Sequence, residues 1–393
     1  MEDKLAFEDD FAPLQFAVGT SAGGEKIFRA CQTYMETRRD DSDRRVLVTL
    51  DCKNAFNSID RQAILDALGT KWPFYGTPAE LWYRMEDGRT ETILSQEGTQ
   101  QGDAAGPFLF CLGLHPALVK LQEEFPDAFV SAFMDDIDGG LDETRVTGYV
   151  DRAEQLLAEK KLRLRRDKSA AWSPRWQQDS DIPADIAASG VKCSTDGITV
   201  LGCPLGGNSF IQHSLEKITN GHQPLLDAIV TFAQKGLQGS GLLLRYCASP
   251  RLNYWLRLLP PESDVSLAAA ERHDAAIIRA FRRMFRFPGD FPDSVSAQVQ
   301  LPIRLGGFGL VSASTIARAA FLGSIGVTAF DVSSRFRGAP WMPQGGPAAL
   351  LDCHGFDRQS PPSLPSLRWS APPSPSPPSK TFSRDRRFGY SSA

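Results

Sequence analysis

Three aspartates stand at the ends of apolar segments. Asp51 closes an apolar run in "LVTLDCKNAFNSID", and Asp135 and Asp136 follow another in "AFVSAFMDDIDGGL". Asp and Gly are turn formers, so "DDIDGG" taken alone reads as a tight connection between two strands. A second reading opens when the two stretches are set side by side. Were both strands neighbours in one sheet, three carboxylates would converge at one edge. Unpaired, those charges repel and raise one another's pKa; magnesium, a hard divalent cation that prefers oxygen ligands, relieves the conflict. Two such ions held about 3.5–4 Å apart would activate an attacking oxygen and stabilise a leaving one in phosphoryl transfer. The separation of 84 residues between Asp51 and Asp135 is no obstacle, because intervening helices can return the second strand to the side of the first.

The elements that must position these groups follow from periodicity. Residues 25–39, "EKIFRACQTYMETRR", carry Ile27, Ala30, Cys31 and Tyr34 at helical spacing, and "RVLVTL" reads as a strand. "SIDRQAILDALG" predicts a short helix stopped at Gly69. "GTPAELWYRMEDG" predicts another, with Thr77 as N-cap and Pro78 at its first position. A strand near "TETILS", a polar loop "QEGTQQGDAAGP" and a long apolar helix through "FLFCLGLHPALVKLQEE" come next. The Asp pair then sits at the turn of a hairpin, ahead of the helix "RVTGYVDRAEQLLAEKK" and strands near "SAAW" and "ITVLG". From about 208 to 330 only helical periodicity remains, which predicts a second, all-α module. Residues 361–379 hold 8 prolines in 19, a composition that cannot offset its ordering entropy, so the tail is expected to be disordered.

Composition narrows the classes. The chain has 393 residues, 42% hydrophobic and 23% charged, which suits a globular protein of two domains or more. No run reaches the roughly 18 uninterrupted apolar residues of a membrane span, and the acidic start lacks the pattern of a signal peptide; a soluble intracellular protein is expected. Seven cysteines without a CxxC pair argue against zinc and against a disulfide framework. With a net charge of −4, contact with a polyanion must rest on metal ions or on local basic patches. "EKKLRLRR" (159–166) and "RAFRRMFRF" (279–287) are such patches, although each also fits the solvated face of a helix. "GTSAGGEK" (19–26) fails as a phosphate-binding loop, since its lysine follows Glu25 and no Ser or Thr follows the lysine.

Over about residues 15–310 the chain resembles the reverse transcriptase family, closest to the polymerases of non-LTR (LINE-type) retrotransposons. "LDCKNAFNSIDR" is similar to that family's first palm motif, "QQGDAAGPFLFCL" to the loop and helix beneath the incoming nucleotide, and "FMDD" to its aromatic-x-Asp-Asp hairpin. "LRLRRDKSAAW" resembles the lysine-containing motif, "ITVLGCPLG" the primer-grip hairpin, and "LRYCASPRLNYWLRLLPP" and "LPIRLGGFGL" thumb segments. The resemblance implies an α+β right-hand polymerase: truncated fingers (1–44), a palm (45–190), a primer-grip hairpin (191–207), an all-α thumb-like region (208–335) and the disordered tail (336–393). It implies Asp51, Asp135 and Asp136 as catalytic carboxylates, holding two Mg²⁺ or Mn²⁺ ions with help from the Cys52 carbonyl. Phe56 would lie under the sugar and exclude a ribose 2′-OH, Gln101 and Gly102 would shape the nucleotide pocket, and Lys168 would neutralise or protonate the departing pyrophosphate. Phe133, Met134 and Gly202 would meet the primer. The implied partners are an RNA template, a DNA primer and deoxynucleoside triphosphates.

The pattern departs from the family in places. Only about 15 residues precede the matching region, so most of the basic fingers is expected to be missing; "QGDAAGP" carries alanines in place of a proline and a larger residue, and Phe133-Met134 replaces Tyr-Ala. Two rivals therefore stand beside an RNA-directed DNA polymerase. One is a catalytically silent remnant that binds RNA or an RNA–DNA hybrid; the other is a different two-metal enzyme such as a nucleotidyl cyclase, for which the primer-grip and thumb segments would have no use.

Overall fold

The computed structural model describes residues 11–36, 43–68, 77–100, 102–261 and 263–335. An entry segment of turns and bends leads to helix α1 (Gly23–Glu36), then strand β1 (Arg45–Leu50), the one-turn helix α2 (Ala55–Ser58) and α3 (Arg61–Leu68). A hairpin of β2 (Ala79–Arg84) and β3 (Thr90–Ser95) precedes the long helix α4 (Gly106–Glu124). The second hairpin joins β4 (Phe129–Phe133) to β5 (Asp136–Asp142); α5 (Val146–Ala158), β6 (Ala170–Trp172), α6 (Ala184–Ala188) and β7 (Lys192–Ser194) follow. A third hairpin, β8 (Gly197–Val200) with β9 (Cys203–Gly206), ends the β-containing part.

Five strands form one sheet in the order β4-β5-β1-β6-β7, antiparallel except for the β6–β7 edge. Period-two alternation gives each strand two apolar faces. Val46, Val48 and Leu50 of β1, with Ile137 and Leu141 of β5 and Val130 and Ala132 of β4, pack on α4 and α5 through Leu109, Phe110, Leu114, Tyr149 and Leu156. Leu47 and Trp172 emerge on the other face. There they join Ile27, Phe28 and Cys31 of α1 and Ile198, Val200 and Cys203 of the β8–β9 hairpin, with Phe129 and Phe133 partly buried beside them. Because α4 is apolar around most of its circumference, Leu, Phe and Cys side chains can fill the first core without a polar face to spare.

The glycine pair after the aspartates has a packing role. A Cβ at Gly139 would lie 2.7–2.8 Å from the ring of Tyr149, and one at Gly140 would lie 2.6 Å from Tyr34 on the opposite face. Two tyrosines thus press on β5 from both sides.

The rest is helical: α7 (Asn208–Gly221), α8 (Gln223–Phe232), α9 (Leu237–Leu243), α10 (Asn253–Leu258), α11 (Asp264–Met284), α12 (Asp293–Gln300) and α13 (Ala313–Arg335). Between α9 and α10 the chain passes through a π turn and a 3₁₀ turn at Pro250, whose missing N–H interrupts the α ladder. This part shares the second sheet-face core through Leu258, Leu259 and Ala269. Polar bonds reinforce the junction. Arg257 donates to both oxygens of Glu25 (2.6 and 3.0 Å), and buried Arg29 donates to the Arg257 carbonyl (2.9 Å) while its guanidinium lies over Phe321. Among the described residues one helix, α13, is long and apolar enough over Ala313–Val332 to cross a membrane; here it lies against α1, α10 and α11.

Two sequence expectations need comment. The helix expected over "GTPAELWYRMEDG" is instead β2, paired with β3 from Ala79↔Ser95 to Arg84↔Thr90. Thr77-Pro78 resembles a helix start, but Asp87-Gly88 is the stronger signal: Gly88 takes φ +86 and Met85 N–H bonds the Arg89 carbonyl at 2.7 Å, closing a hairpin of β-prone Leu81, Trp82, Tyr83 and Ile93. The Gly69 stop and the tail fall outside the described residues.

Gly139→Ala, which drives a methyl into the fully buried Tyr149 ring, is expected to lower unfolding stability by about 1–3 kcal/mol in a urea titration. Gly148→Ala, inside α5 where an added Cβ meets nothing within 4 Å, is the control and is expected to raise stability by about 0.5–1 kcal/mol.

Candidate active site

Strand register brings the aspartates together. The last pair of the β1–β5 ladder is Leu50↔Ile137, so the next step sets Asp51 opposite Asp136, with Asp135 one residue further into the turn. Leu50 and Ile137 face the α4 core, which turns Asp51 and Asp136 to the opposite face. The electrostatics record the convergence. Burial, followed by the charge of Asp51, raises the Asp135 carboxyl, although backbone hydrogen bonding opposes the rise. Packing around Asp136, and after it the charges of Asp135 and Asp51, push that group up to about 6. Asp136 still keeps an exposed surface, so charge repulsion is the component that a bound cation would relieve. The Cys52 thiol is held near 12 by burial first, then by Asp135, Asp51 and Asp136 together.

The main chain around Asp51 is fixed on both sides. Its N–H donates to Ser169 Oγ at 3.2 Å, and its carbonyl accepts from Arg165 N–H at 2.8 Å. Ser169 in turn donates to the Arg165 carbonyl at 2.9 Å, so the turn that carries Lys168 is tied to Asp51; the Lys168 side chain is exposed beside it. Cys52 bridges Leu164, and the flanking residues make the hydrogen bonds of that bridge. The Cys52 carbonyl therefore points away from that strand. Among the described residues no group of three or more His, Cys, Asp or Glu side chains is arranged to hold a metal ion, so the carboxylates converge without being clasped.

Phe56 stacks on Phe110 of α4, with ring centroids 4.5 Å apart and planes 18° from parallel. Its carbonyl accepts from Thr99 N–H at 2.7 Å, and Gly98, at φ +67, lies so close to Phe56 and Asn57 that a Cβ would fall 2.3 Å from the Asn57 backbone. The loop leading to Gly102 is thereby laid against Phe56. Arg61, missed in the sequence, secures the same loop from within through Gly98, Ser95 and Glu97. Gly102 has φ +91 with open space beyond it, whereas Gln101 falls outside the described residues.

Phe133, Leu201 and Tyr254 meet over Gly24, which draws the β4–β5 turn, the β8–β9 turn and α10 to one point. Gly202, at φ +77, accepts a hydrogen bond from Trp255 Nε1 at 2.9 Å. Met134, at φ +57, is held by Gln15, another residue missed in the sequence because it stands 119 positions away. Of the second basic patch, Arg282 and Arg283 are paired with Asp290 and Asp227, leaving Arg279 and Arg286 exposed.

Asp138 lies behind the carboxylates, paired across the sheet with Ser131 and, on β1, with Thr49. It is 2% exposed, its Oδ2 has no hydrogen-bond partner, and burial followed by the charge of Asp136 pushes it up to about 8. Burial thus favours its protonated form in the folded protein.

Residues 11–205 match the family model described as reverse transcriptase (RNA-dependent DNA polymerase). A relative, the retrotransposable element SLACS 132 kDa protein of Trypanosoma brucei gambiense, is 31% identical over 140 residues, 33% of this chain. The match spans only 11% of the relative's length. Solved structures with a low likeness include telomerase from Candida albicans in complex with a TWJ fragment of telomeric RNA (TM-score 0.40, 10% identity, 85% of this chain and 54% of that one). Apo telomerase from Candida tropicalis is a second (0.40, 10%, 86% and 57%).

The Asp138 carboxyl binds its proton more tightly folded than unfolded, so its contribution to stability is full below pH 4 and declines as pH rises toward 8. Asp138→Asn should flatten the fall in melting temperature between pH 6 and 8, above the range in which Asp136 titrates. An unchanged pH profile would contradict the neutral acid.

Proposed function

We propose that the reverse transcriptase domain carried by residues 11–205 acts as an RNA-directed DNA polymerase of a non-LTR retrotransposon protein, adding deoxynucleotides to a primer 3′-OH along an RNA template. The observation that carries this reading is the β1–β5 register, which brings Asp51 to Asp136 and Asp135 at one strand end. In this reading the five-stranded sheet is the palm, the β8–β9 turn is the primer grip and the helices after residue 208 are the thumb, within a soluble intracellular protein.

The donor set fits hard divalent cations. Three carboxylates, two of them pushed upward by burial and then by the charge of neighbouring carboxylates, and a carbonyl at Cys52 offer oxygen ligands and surplus negative charge, which suits Mg²⁺ or Mn²⁺ better than zinc. Two bound ions would supply activation of the 3′-OH and neutralisation of the triphosphate. The chain's own residues do the rest. Asp51 and Asp135 are the ligands, Asp136 supports them, and the Ser169 and Arg165 bonds hold the Asp51 main chain in register. Phe56, wedged on Phe110, presents a ring edge that a 2′-OH would strike, and Gly102 lets backbone approach the nucleotide. Lys168 extends from the turn tied to Asp51 and donates a proton or charge to pyrophosphate. Phe133, which meets Leu201 and Tyr254 over Gly24, lines the path of the primer end with its neighbour Met134 and with Gly202, the neighbour of Leu201.

A second reading, the catalytically silent hybrid-binding remnant, draws on one observation: the carboxylates converge but do not form a closed ligand set.

Primer extension on a poly(rA)/oligo(dT) hybrid with Mg²⁺ and dTTP separates the two. Asp135→Ala should cut extension by ~10³-fold while hybrid binding and melting temperature hold, and hybrid binding without extension by the native chain would favour the remnant. Phe56→Ala should raise use of UTP relative to dTTP by roughly 10-fold; an unchanged ratio would remove the steric gate.

A further inference from the structure

The aspartate turn hangs on a residue that comes from far outside it. Gln15 makes an isolated parallel bridge to Ala132 of β4: Ala132 N–H donates to the Leu14 carbonyl at 2.6 Å, and Phe16 N–H donates to the Ala132 carbonyl at 2.9 Å. Two residues further along β4 the main chain ladder has no more backbone to offer. The Gln15 side chain takes over. Its Oε1 accepts from Met134 N–H at 2.8 Å and its Nε2 donates to the Met134 carbonyl at 3.2 Å, so one amide satisfies both polar groups of one residue.

Met134 is the residue that needs such a partner. It sits at φ +57, a left-handed conformation that an L side chain adopts only when its surroundings impose it, and the residue after it is Asp135. Gln15 is 1% exposed, and its oxygen also accepts from Ala17 N–H at 3.3 Å, which sets the amide's orientation. A side chain of another length, or one that only donates or only accepts, could not close both bonds.

We propose that Gln15 is a positioning residue for the catalytic carboxylates: its amide locks Met134 in the left-handed conformation and thereby sets the direction in which Asp135 leaves the turn. The inference deepens the polymerase reading and rests on it for its activity arm alone. Gln15 touches no reacting atom. It acts through the Met134 main chain, as outer partners of a metal site act through the ligands they orient.

The test compares the native chain with Gln15→Met, which keeps length and apolar bulk but makes neither bond, and with Gln15→Glu, which keeps the acceptor and loses the donor. Three readouts are taken on each: hydrogen–deuterium exchange of peptides covering 130–138, Mn²⁺ binding by water proton relaxation, and single-nucleotide extension on the hybrid. Gln15→Met should speed exchange at Met134 and Asp135, weaken Mn²⁺ binding about tenfold, and lower kcat about tenfold with the KM for hybrid within twofold. Gln15→Glu should fall between. Native exchange, Mn²⁺ affinity and kcat in Gln15→Met would overturn the proposal. So would global loss of protection in both variants, which would assign Gln15 to folding alone. A native chain that never extends primer, yet loses Mn²⁺ affinity on Gln15→Met, would sink the polymerase reading and leave the clamp standing.

Discussion

The site depends on one pairing, the antiparallel register of β1 against β5 that ends at Leu50↔Ile137. Side chains alternate across a sheet with a period of two, so a slip of one residue would turn Asp51 into the α4 core and Leu50 to the opposite face. Burial enforces the register. Val46, Val48 and Leu50 with Ile137 and Leu141 are within 2% of full burial, and a slip would tear that set from its packing on α4 and α5 and drive it into the differently filled core against α1 and the β8–β9 hairpin. The carboxylates are thus placed by hydrophobic residues that never approach the chemistry.

Around that pairing, a small number of buried polar groups sets the main chain. Ser169 reads the Asp51 amide, Gln15 reads Met134, Arg61 holds the loop beneath Phe56, and Arg29 with Arg257 joins α1 to α10. Each partner comes from a distant stretch of sequence. A buried donor or acceptor costs free energy when unpaired, so each of these bonds also specifies which segments must be neighbours. The helical half is in this sense part of the site: Trp255 carries the β8–β9 turn, and Tyr254 and Leu201 close over Gly24 beside Phe133.

The same packing accounts for the acid behind the site. Asp138 is 2% exposed, and burial first, then the charge of Asp136 two residues away on the same face, raises its carboxyl and favours the protonated form. Its neighbours Ser131 and Thr49 belong to the flanking strands. One strand therefore carries an exposed charged carboxylate and a buried neutral one in succession, and only the depth of the sheet distinguishes them.

What the sequence determined by itself was local or periodic: the strand and helix identities of "RVLVTL", "FLFCLGL" and "AFVSAFMDD", the aspartates at their strand ends, the glycine-bearing turns and the order of motifs that carries the resemblance to a known family. These signals are encoded within a dozen residues, where propensity and alternation act directly. Where two local signals competed, as Thr77-Pro78 against Asp87-Gly88, the hairpin prevailed because its second strand was available to pair, which no single-segment reading could weigh. Tertiary structure alone decided that β1 and β5 are neighbours, that Gln15 and Ser169 serve residues 119 and 118 positions away, and that Asp138 is buried while Asp136 is not. Those facts arise from pairing and burial across the chain, and an amide or hydroxyl in a sequence carries no mark of the partner it will meet.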